Sequence, residues 1–317
     1  MSTAREPGFI SGLQERVRGV VRIEEPLSRW STYRIGGPAT VLMPSCAEDV
    51  ATALRLATEH GVPWFALGLG SNLLFPDEGL DALVIRMGKG VDRLDPSGDR
   101  WTIGAGLPQP LAAKRTAQAG MAGIHQMVGV PGSVGGGVVM NAGCHGAEWR
   151  DVVEAVLVVD PAGQDRVVPA AEVGFRYRRS ALGRVVVLET TVVLHEAETA
   201  ALVAETEALY RWRRDETPFN QPCCGSVFTN PELPATWNDG DPRTAGQHIE
   251  ATGLKGHTVG GAQVSPMHAN YFINTGGATA QDVVALMDVV RQRVSDRWGV
   301  TLEPEVKAIR PDGTHQP

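Results

Sequence analysis

The sequence predicts a mixed α and β protein of about two domains. Its 317 residues are roughly twice an ordinary domain length. Strand, helix and glycine-turn signals also follow one another in the order that α/β units use. With 43% hydrophobic and 21% charged residues the composition is that of a globular chain, which excludes wholesale disorder.

The first unit opens at Ser45-Cys46-Ala47-Glu48, an S-x-x-E sequence with the form of a capping box. Val50, Leu54 and Ala57 follow at helical spacing, and Gly61 with Pro63 stops the helix. Trp64-Phe65-Ala66-Leu67 reads as a short buried strand, broken by Gly68-Leu69-Gly70-Ser71-Asn72; residues 80–86 read as another. In the second unit Trp101-Thr102-Ile103 is strand-like and residues 111–118 form a helix closed by Gly120. The densest glycine stretch comes next, from Gly129 to Gly137, and then two β-branched runs, 152–159 and 184–194, that predict buried strands. A charged helix starts near Ala200 and ends in Arg211-Trp212-Arg213-Arg214. A Pro- and Asn-rich stretch follows, and its Trp237-Asn238-Asp239-Gly240-Asp241-Pro242 segment reads as a surface insertion. Val283, Leu286, Met287, Val290, Val294 and Trp298 trace one face of an amphipathic helix. Gly299 closes that helix, and residues 302–309 predict a final strand.

Charge and cysteine usage narrow the function. The chain carries 29 basic and 36 acidic residues, a net charge of −7, which disfavours a broad nucleic-acid surface. An anionic ligand must therefore meet a local cluster of cations or backbone N–H groups. The four cysteines fit neither a disulfide scaffold nor a zinc spacing, and no metal site is expected. Residues 1–12 lack the pattern of a signal peptide, and no apolar run is long enough to span a bilayer. A cytoplasmic protein without membrane insertion is expected.

The chemistry concentrates in a few segments. Glycine loops let backbone approach a phosphate and present N–H groups as an anion nest. The Gly68 loop does not complete G-x-G-x-x-G, and the Gly129 to Gly137 loop lacks the Gly-Lys-Ser/Thr of a P-loop, so Rossmann and P-loop readings lose ground. Both loops also read as tight turns. Phe175-Arg176-Tyr177-Arg178-Arg179-Ser180 could clamp a carboxylate or phosphate, or be a solvated turn. The cations at 211, 213 and 214 are ordinary for a helix end. Ser226 lacks a G-x-S-x-G elbow, and Glu303 with Glu305 reads as a charged edge strand.

Taken in chain order, these segments resemble a known family. They are Tyr33-Arg34-Ile35-Gly36-Gly37-Pro38-Ala39, Gly68 to Leu74, Val130 to Gly136 with Met140-Asn141-Ala142-Gly143, and Tyr177-Arg178-Arg179-Ser180. Gly225-Ser226-Val227-Phe228, Leu254-Lys255-Gly256 with Gly260-Gly261, and Glu303-Pro304-Glu305-Val306-Lys307 complete the set. From about Tyr33 to Ile309 the chain is similar to the UDP-N-acetylenolpyruvoylglucosamine reductases, the MurB family of bacterial cell-wall synthesis, in its type II form.

The resemblance implies an α+β chain with an FAD-binding fold of the vanillyl-alcohol-oxidase (PCMH) type. Residues 1–88 with the C-terminal strand 300–317 would form one FAD-binding subdomain, 89–198 a second, and 199–299 a substrate-binding domain. It implies FAD and NADPH as cofactors and UDP-N-acetylglucosamine enolpyruvate as a small-molecule substrate, handled by a monomer. By motif match the catalytic residues are Arg178, Ser226 and Glu305, with Ser226 as proton donor. FAD contacts are expected from Tyr33, Arg34, Gly68, Gly70, Ser71, Asn72, Gly129, Pro131, Gly132, Ser133, Gly135, Gly136, Asn141 and Gly143. The glycines at 70 and 135 are expected to admit the diphosphate. Tyr177, Asn230 and His268 are expected at the substrate.

The chain departs from the family pattern in three places. Cys144-His145 stands where relatives usually have Ala-Tyr, His125 replaces a usual glutamate, and residues 231–243 are longer than usual. The Cys144-His145 pair keeps a second reading open, a flavin-dependent oxidase of small alcohols or sugars with covalently attached FAD.

Overall fold

A computed structural model describes residues 3–314, and its internal contacts divide them into two units. The first runs to Glu25 and then comprises Pro38–Leu69 and Leu80–Trp212. The second comprises Pro26–Gly37, Gly70–Gly79 and everything from Arg213 onward.

The first unit holds two sheets of opposite character. Pro38–Met43, Leu83–Arg86 and Trp64–Leu67 pair in parallel, with Val20–Pro26 beside Pro38–Met43 at the edge. Both central strands are nearly continuous apolar runs, as parallel strands covered on two faces require. The helix Ala47–Glu59 buries Val50, Leu54 and Ala57, the predicted stripe, in the same core as Phe9 and Leu13 of the helix Pro7–Arg16. Its start corrects the expected capping box. Cys46, not Ser45, is the N-cap, so Asp49 rather than Glu48 takes the third helical position. Asp49 accepts from Ser45 N and Oγ at 2.8 and 2.9 Å, while Glu48 turns outward to Arg55.

The second sheet is antiparallel, in the order Asp165–Pro169, Val153–Val159, Val186–Val193, Arg100–Gly104, Leu94–Ser97. Its β-branched central strands are the two runs that the sequence marks as buried. The helix Gln109–Gln118 and the short helix Val134–Val139 put Ala112, Ala113, Val134 and Val138 into this unit's core.

In the second unit an antiparallel sheet runs Cys223–Ser226, Tyr271–Asn274, Ala262–Val264, Thr258–Val259. The helix Ala280–Trp298 buries Val283, Leu286, Met287, Val290 and Val294 in the same core as this sheet. A Thr279–Asp282 capping box starts it, and Gly299 at φ 66° ends it in the left-handed conformation that glycine adopts without strain. The expected final strand over 302–309 shrinks to Lys307–Ala308, paired in parallel with Leu73–Leu74. Pro304 has no N–H to give to a ladder, and Glu305 and Val306 both turn their N–H groups onto Val227 O. Leu302 and Val306 lie in this unit's core with Tyr33, Ile35 and Leu74, so of residues 1–88 the C-terminal segment shares a unit with 26–37 and 70–79. The 231–243 insertion contains no helix or strand. Trp237 anchors it, with its ring 5.7 Å from that of buried His248 and its Nε1 donating to Pro242 O.

Two acidic groups in this core are held protonated. Burial pushes the Cys224 thiol up to about 12, and burial, together with the neighbouring Cys224, raises the Tyr33 phenol well above its ordinary value. A group whose pKa is raised on folding lends stability that is complete below its unfolded pKa and lost as pH rises toward the folded one. For the thiol that window runs from about 9 to about 12. We expect denaturant stability to fall above about pH 9, by up to ~1.4 kcal/mol per pH unit for each such group. Cys224→Ala should flatten the decline between pH 9 and 10.5; an unchanged slope would show that the thiol is not its source.

Candidate active site

Arg178 lies in a turn closed by Arg176 N to Arg179 O at 2.9 Å, with its own φ at 56°. Arg176 and Arg179 face solvent, whereas the Arg178 side chain is only 21% exposed. Its Nη2 donates to Gly143 O at 3.1 Å, Nη1 lies 3.8 Å from Glu148 Oε1, and the guanidinium covers the Tyr177 ring at 4.8 Å. The solvated-turn reading thus describes two of the three arginines, and Arg178 is built inward.

Glu148 is the residue that the sequence reading missed. Its carboxylate accepts from Asn141 Nδ2 and is ion-paired with Arg150 Nε, both at 2.9 Å, as well as facing Arg178. Asn141, fully buried at φ 42°, also donates to Arg176 O and accepts from Arg150 N. One asparagine and one glutamate therefore fix the arginine turn against the hairpin Gly143–Cys144/Ala147–Glu148. A side chain at Gly143 would overlap Ala147 O, so this glycine serves the hairpin, and its carbonyl serves Arg178. No sequence signal marked Glu148, whose role follows from the hairpin register that sets it opposite Gly143. Of the five non-glycine residues at positive φ among the described residues, Arg34, Asn141, His145 and Arg178 fall in the predicted motifs. Strain of this kind gathers where the surroundings over-determine the backbone, often at functional sites.

The glycine loops divide by what their missing side chains would meet. A Cβ on Gly68 would strike Ser133 Oγ, so the two loops touch within the first unit. A Cβ on Gly135 would lie 2.7 Å from Ala105 Cβ, and one on Gly70 would run into Trp30 O. Packing therefore requires glycine at 70 and 135, where cofactor access was expected to require it. Val134 N and Gly135 N are bonded to Leu107 O and Ala105 O at 2.9 Å, leaving the Gly132, Ser133 and Gly136 N–H groups for an anion. Gly136 is exposed, and a Cβ there would meet nothing nearer than Ser133 Oγ at 3.5 Å; the nearest atom at Gly129 is Cys144 Sγ at 3.6 Å. Gly129, Gly132 and Ser133 are buried, so the exposed backbone at Gly136 is the part of this run that fits a diphosphate. Pro131 is exposed beside it.

The departures also find partners in the first unit. His125 Nε2 lies 3.3 Å from Glu205 Oε1, Cys144 Sγ donates to Gln126 O, and His145 sets its ring edge-to-face on Trp212 at 4.9 Å.

In the second unit the sheet aims Ser226. Gly225 takes φ 71° and the pairing of Cys223–Ser226 with Tyr271–Asn274 shifts register there, a bulge of the kind that redirects a side chain. Ser226 consequently stands directly opposite Tyr271. Glu305 comes alongside by backbone: its N–H donates to Val227 O at 2.7 Å, and its C=O accepts from Asn72 Nδ2 at 3.1 Å. Asn72, expected at the flavin, thus holds Glu305, and Ser71 precedes it on the same loop. His268 rests on the Tyr271 ring at 4.7 Å, and its Nδ1 accepts from Asn270 N; burial lowers its pKa and keeps it neutral. Arg213, which the sequence reading left as an ordinary helix-end cation, covers Tyr271 at 5.4 Å. Two expectations change. Tyr33 is 0% exposed, so its ring is core and presents no surface to a cofactor, although Arg34 beside it is exposed. Asn230 Oδ1 accepts from Ala245 N at the start of the helix Ala245–Ala251, which gives it a capping task.

Comparison with known proteins bears on both units. The FAD binding domain model matches residues 38–167, and the model of the UDP-N-acetylenolpyruvoylglucosamine reductase C-terminal domain matches 217–309. The UDP-N-acetylenolpyruvoylglucosamine reductase of Bacillus velezensis is 37% identical over 95% of this chain and 97% of its own length. The chain belongs to the UDP-N-acetylenolpyruvoylglucosamine reductase family. The Bacillus subtilis member is 35% identical over the same shares of both chains. The crystal structure of the Thermus caldophilus enzyme superposes with a TM-score of 0.77 at 33% identity, covering 91% of this chain and 99% of that one. The α+β FAD-binding fold expected from the sequence is borne out, and family membership sets the oxidase reading aside.

The glycine analysis separates two neighbours. Gly135→Val should fail to fold or melt far below wild type, since a core contact is overfilled. Gly136→Val should melt near wild type yet purify with little flavin absorbance; full flavin occupancy would remove Gly136 from the diphosphate site.

Proposed function

We propose that this chain catalyses the NADPH-dependent reduction of UDP-N-acetylglucosamine enolpyruvate to UDP-N-acetylmuramate, a step of peptidoglycan precursor synthesis. Support comes from family membership over nearly the whole chain, and one observation carries the chemistry. Ser226 is raised on a bulge, and Glu305 is bonded one residue away, at Val227. The two sheets of the first unit are taken as the two FAD-binding subdomains and the second unit as the substrate domain. A monomer acting in the cytoplasm is the reading that we adopt. Among the described residues no helix is long and apolar enough to cross a membrane.

The exposed Gly136 backbone would hold the FAD diphosphate, and the flavin would supply to the enolpyruvyl group the hydride that NADPH provides. The remaining work belongs to side chains. Addition to an alkene conjugated with a carboxylate builds negative charge on that carboxylate, which needs a preorganised cation. Arg178 supplies it. Glu148 and Gly143 O fix its planar fork, so little reorganisation accompanies the reaction. Ser226 then protonates the substrate carbon, and Glu305 borders the same position. Serine is a weak acid, so it serves only against a strongly basic intermediate shielded from water. Tyr177 and His268 are assigned to substrate contact, whereas Asn230 is left its capping task at Ala245.

Arg178→Lys keeps the charge and loses the fork. It should slow turnover at least about tenfold while NADPH still bleaches the flavin anaerobically; equal damage to both half-reactions would make Arg178 structural. Ser226→Ala should retain FAD and its reduction by NADPH. Oxidation of the reduced enzyme by the enolpyruvyl substrate, followed by stopped-flow absorbance, should slow by about 10²–10⁴-fold, and a wild-type rate would exclude the serine as donor.

A further inference from the structure

The strand Leu83–Arg86 ends in a cation to which the sequence reading gave no role. In open α/β sheets, ligands gather at the carboxyl ends of the parallel strands. Arg86 stands at that end, in register with Leu67, and Met87 N donates to Leu67 O at 2.8 Å. Gly68 follows Leu67 directly, and a Cβ there would strike Ser133 Oγ. The Arg86 side chain leads to the same place by a second route. Its Nη1 donates to Met87 O and lies 3.5 Å from where a Cβ on Gly88 would stand. Gly88 packs its backbone against Gly106, since a Cβ on Gly106 would meet Gly88 N and O. The neighbours of Gly106 take up the glycine run: Ala105 O accepts from Gly135 N and Leu107 O from Val134 N, both at 2.9 Å. One chain of contacts through Gly68 and another through Gly106 thus run from Arg86 to the start of the helix Val134–Val139.

We infer that Arg86 is a cofactor-binding residue: its guanidinium supplies the positive charge for the FAD diphosphate held at the Gly136 backbone. The inference rests on the reading of the Gly129–Gly137 run as the diphosphate site.

The chemistry calls for such a group. A diphosphate brings negative charge to a chain whose net charge is already −7. The helix behind Gly136 has only six residues, so its dipole offers little against that charge. Backbone N–H groups orient an anion, whereas a cation also neutralises it. Arg86 is half-buried, and burial lowers its pKa, as for a guanidinium partly withdrawn from water; arginine nevertheless stays charged. A guanidinium in that position gains much from an anion brought against it, because the bonds formed are charged on both sides. The bond to Met87 O orients the planar fork in advance, which reduces the ordering that binding must supply.

Arg86→Gln removes the charge and keeps an amide able to reach Met87 O. The full-length enzyme is stripped of flavin, and FAD and riboflavin are titrated separately, followed by flavin fluorescence. Riboflavin carries the same ring system without the diphosphate. Arg86→Gln should weaken FAD binding about 10–100-fold, the scale of losing one charged hydrogen-bonding partner, and should leave riboflavin affinity unchanged. FAD binding should also become less sensitive to added salt in the variant. Equal weakening of both flavins would make Arg86 a structural residue and overturn the inference. Wild-type FAD affinity in Arg86→Gln beside a flavin-poor Gly136→Val would overturn it too, and leave the glycine run standing. Wild-type FAD affinity in both variants would remove the diphosphate site from this place, and Arg86 with it. Should Arg86→Gln fail to fold, Arg86→Met carries the same comparison, because it removes the half-buried polar group outright.

Discussion

The second unit depends on a backbone tie between three stretches far apart in sequence. Glu305 N–H reaches Val227 O, Asn72 Nδ2 reaches Glu305 O, and Lys307 N–H reaches Asn72 O. These bonds replace a regular strand that Pro304 interrupts, and they satisfy backbone groups that burial would otherwise leave unpaired. Their effect is to bring a loop from residues 70–79, the strand that ends in Ser226 and the C-terminal segment to one place. The backbone of Glu305 is thereby fixed on both sides of its Cα. Asn72 makes both of its bonds at once, its side-chain amide donating to Glu305 O and its backbone carbonyl accepting from Lys307 N–H.

The first unit solves a similar problem with a half-buried carboxylate. An arginine that faces a ligand needs a compensating charge to hold it, but a carboxylate free to move would pair with the arginine and block it. Glu148 Oε2 is held at 2.9 Å by a hydrogen bond from Asn141 Nδ2 and by an ion pair with Arg150 Nε, while Arg178 sits further off, 3.8 Å from Oε1. The glutamate thus orients the guanidinium without capturing it. The positive φ values at Asn141 and Arg178 are the local cost of that arrangement, offset by the hydrogen bonds that Asn141 makes on both sides.

Where the sequence pattern is local, it is legible. The helix Ala280–Trp298 could be read from its apolar stripe and Gly299, and the strands of the antiparallel sheet from their β-branched runs, because these signals act within a few residues. The glycine-serine motif at 225 and 226 was legible for the same reason. Glu148, Arg213 and Tyr271 were not, since each gains its meaning from a partner across a hairpin return, a helix end or a strand register. The Ser45 capping box failed for a smaller reason: an N-cap one residue later exchanges the roles of Glu48 and Asp49, and two acidic residues in a row give the sequence no means to choose.

The glycines show why a motif can be right while its usual explanation is wrong at individual positions. Gly225 has open space around its missing side chain and is demanded only by its φ of 71°, which an L residue adopts at a cost of about 1–2 kcal/mol. Gly135 has an ordinary backbone conformation and is demanded by Ala105. Gly136 is demanded by neither, with an exposed backbone and its nearest neighbour at ordinary contact distance. Only a glycine of the third kind points to something outside the chain. In a run such as Gly135-Gly136-Gly137, the position that the folded protein itself does not need is therefore the best evidence for a ligand, and the surrounding glycines are what bring its N–H group to the surface.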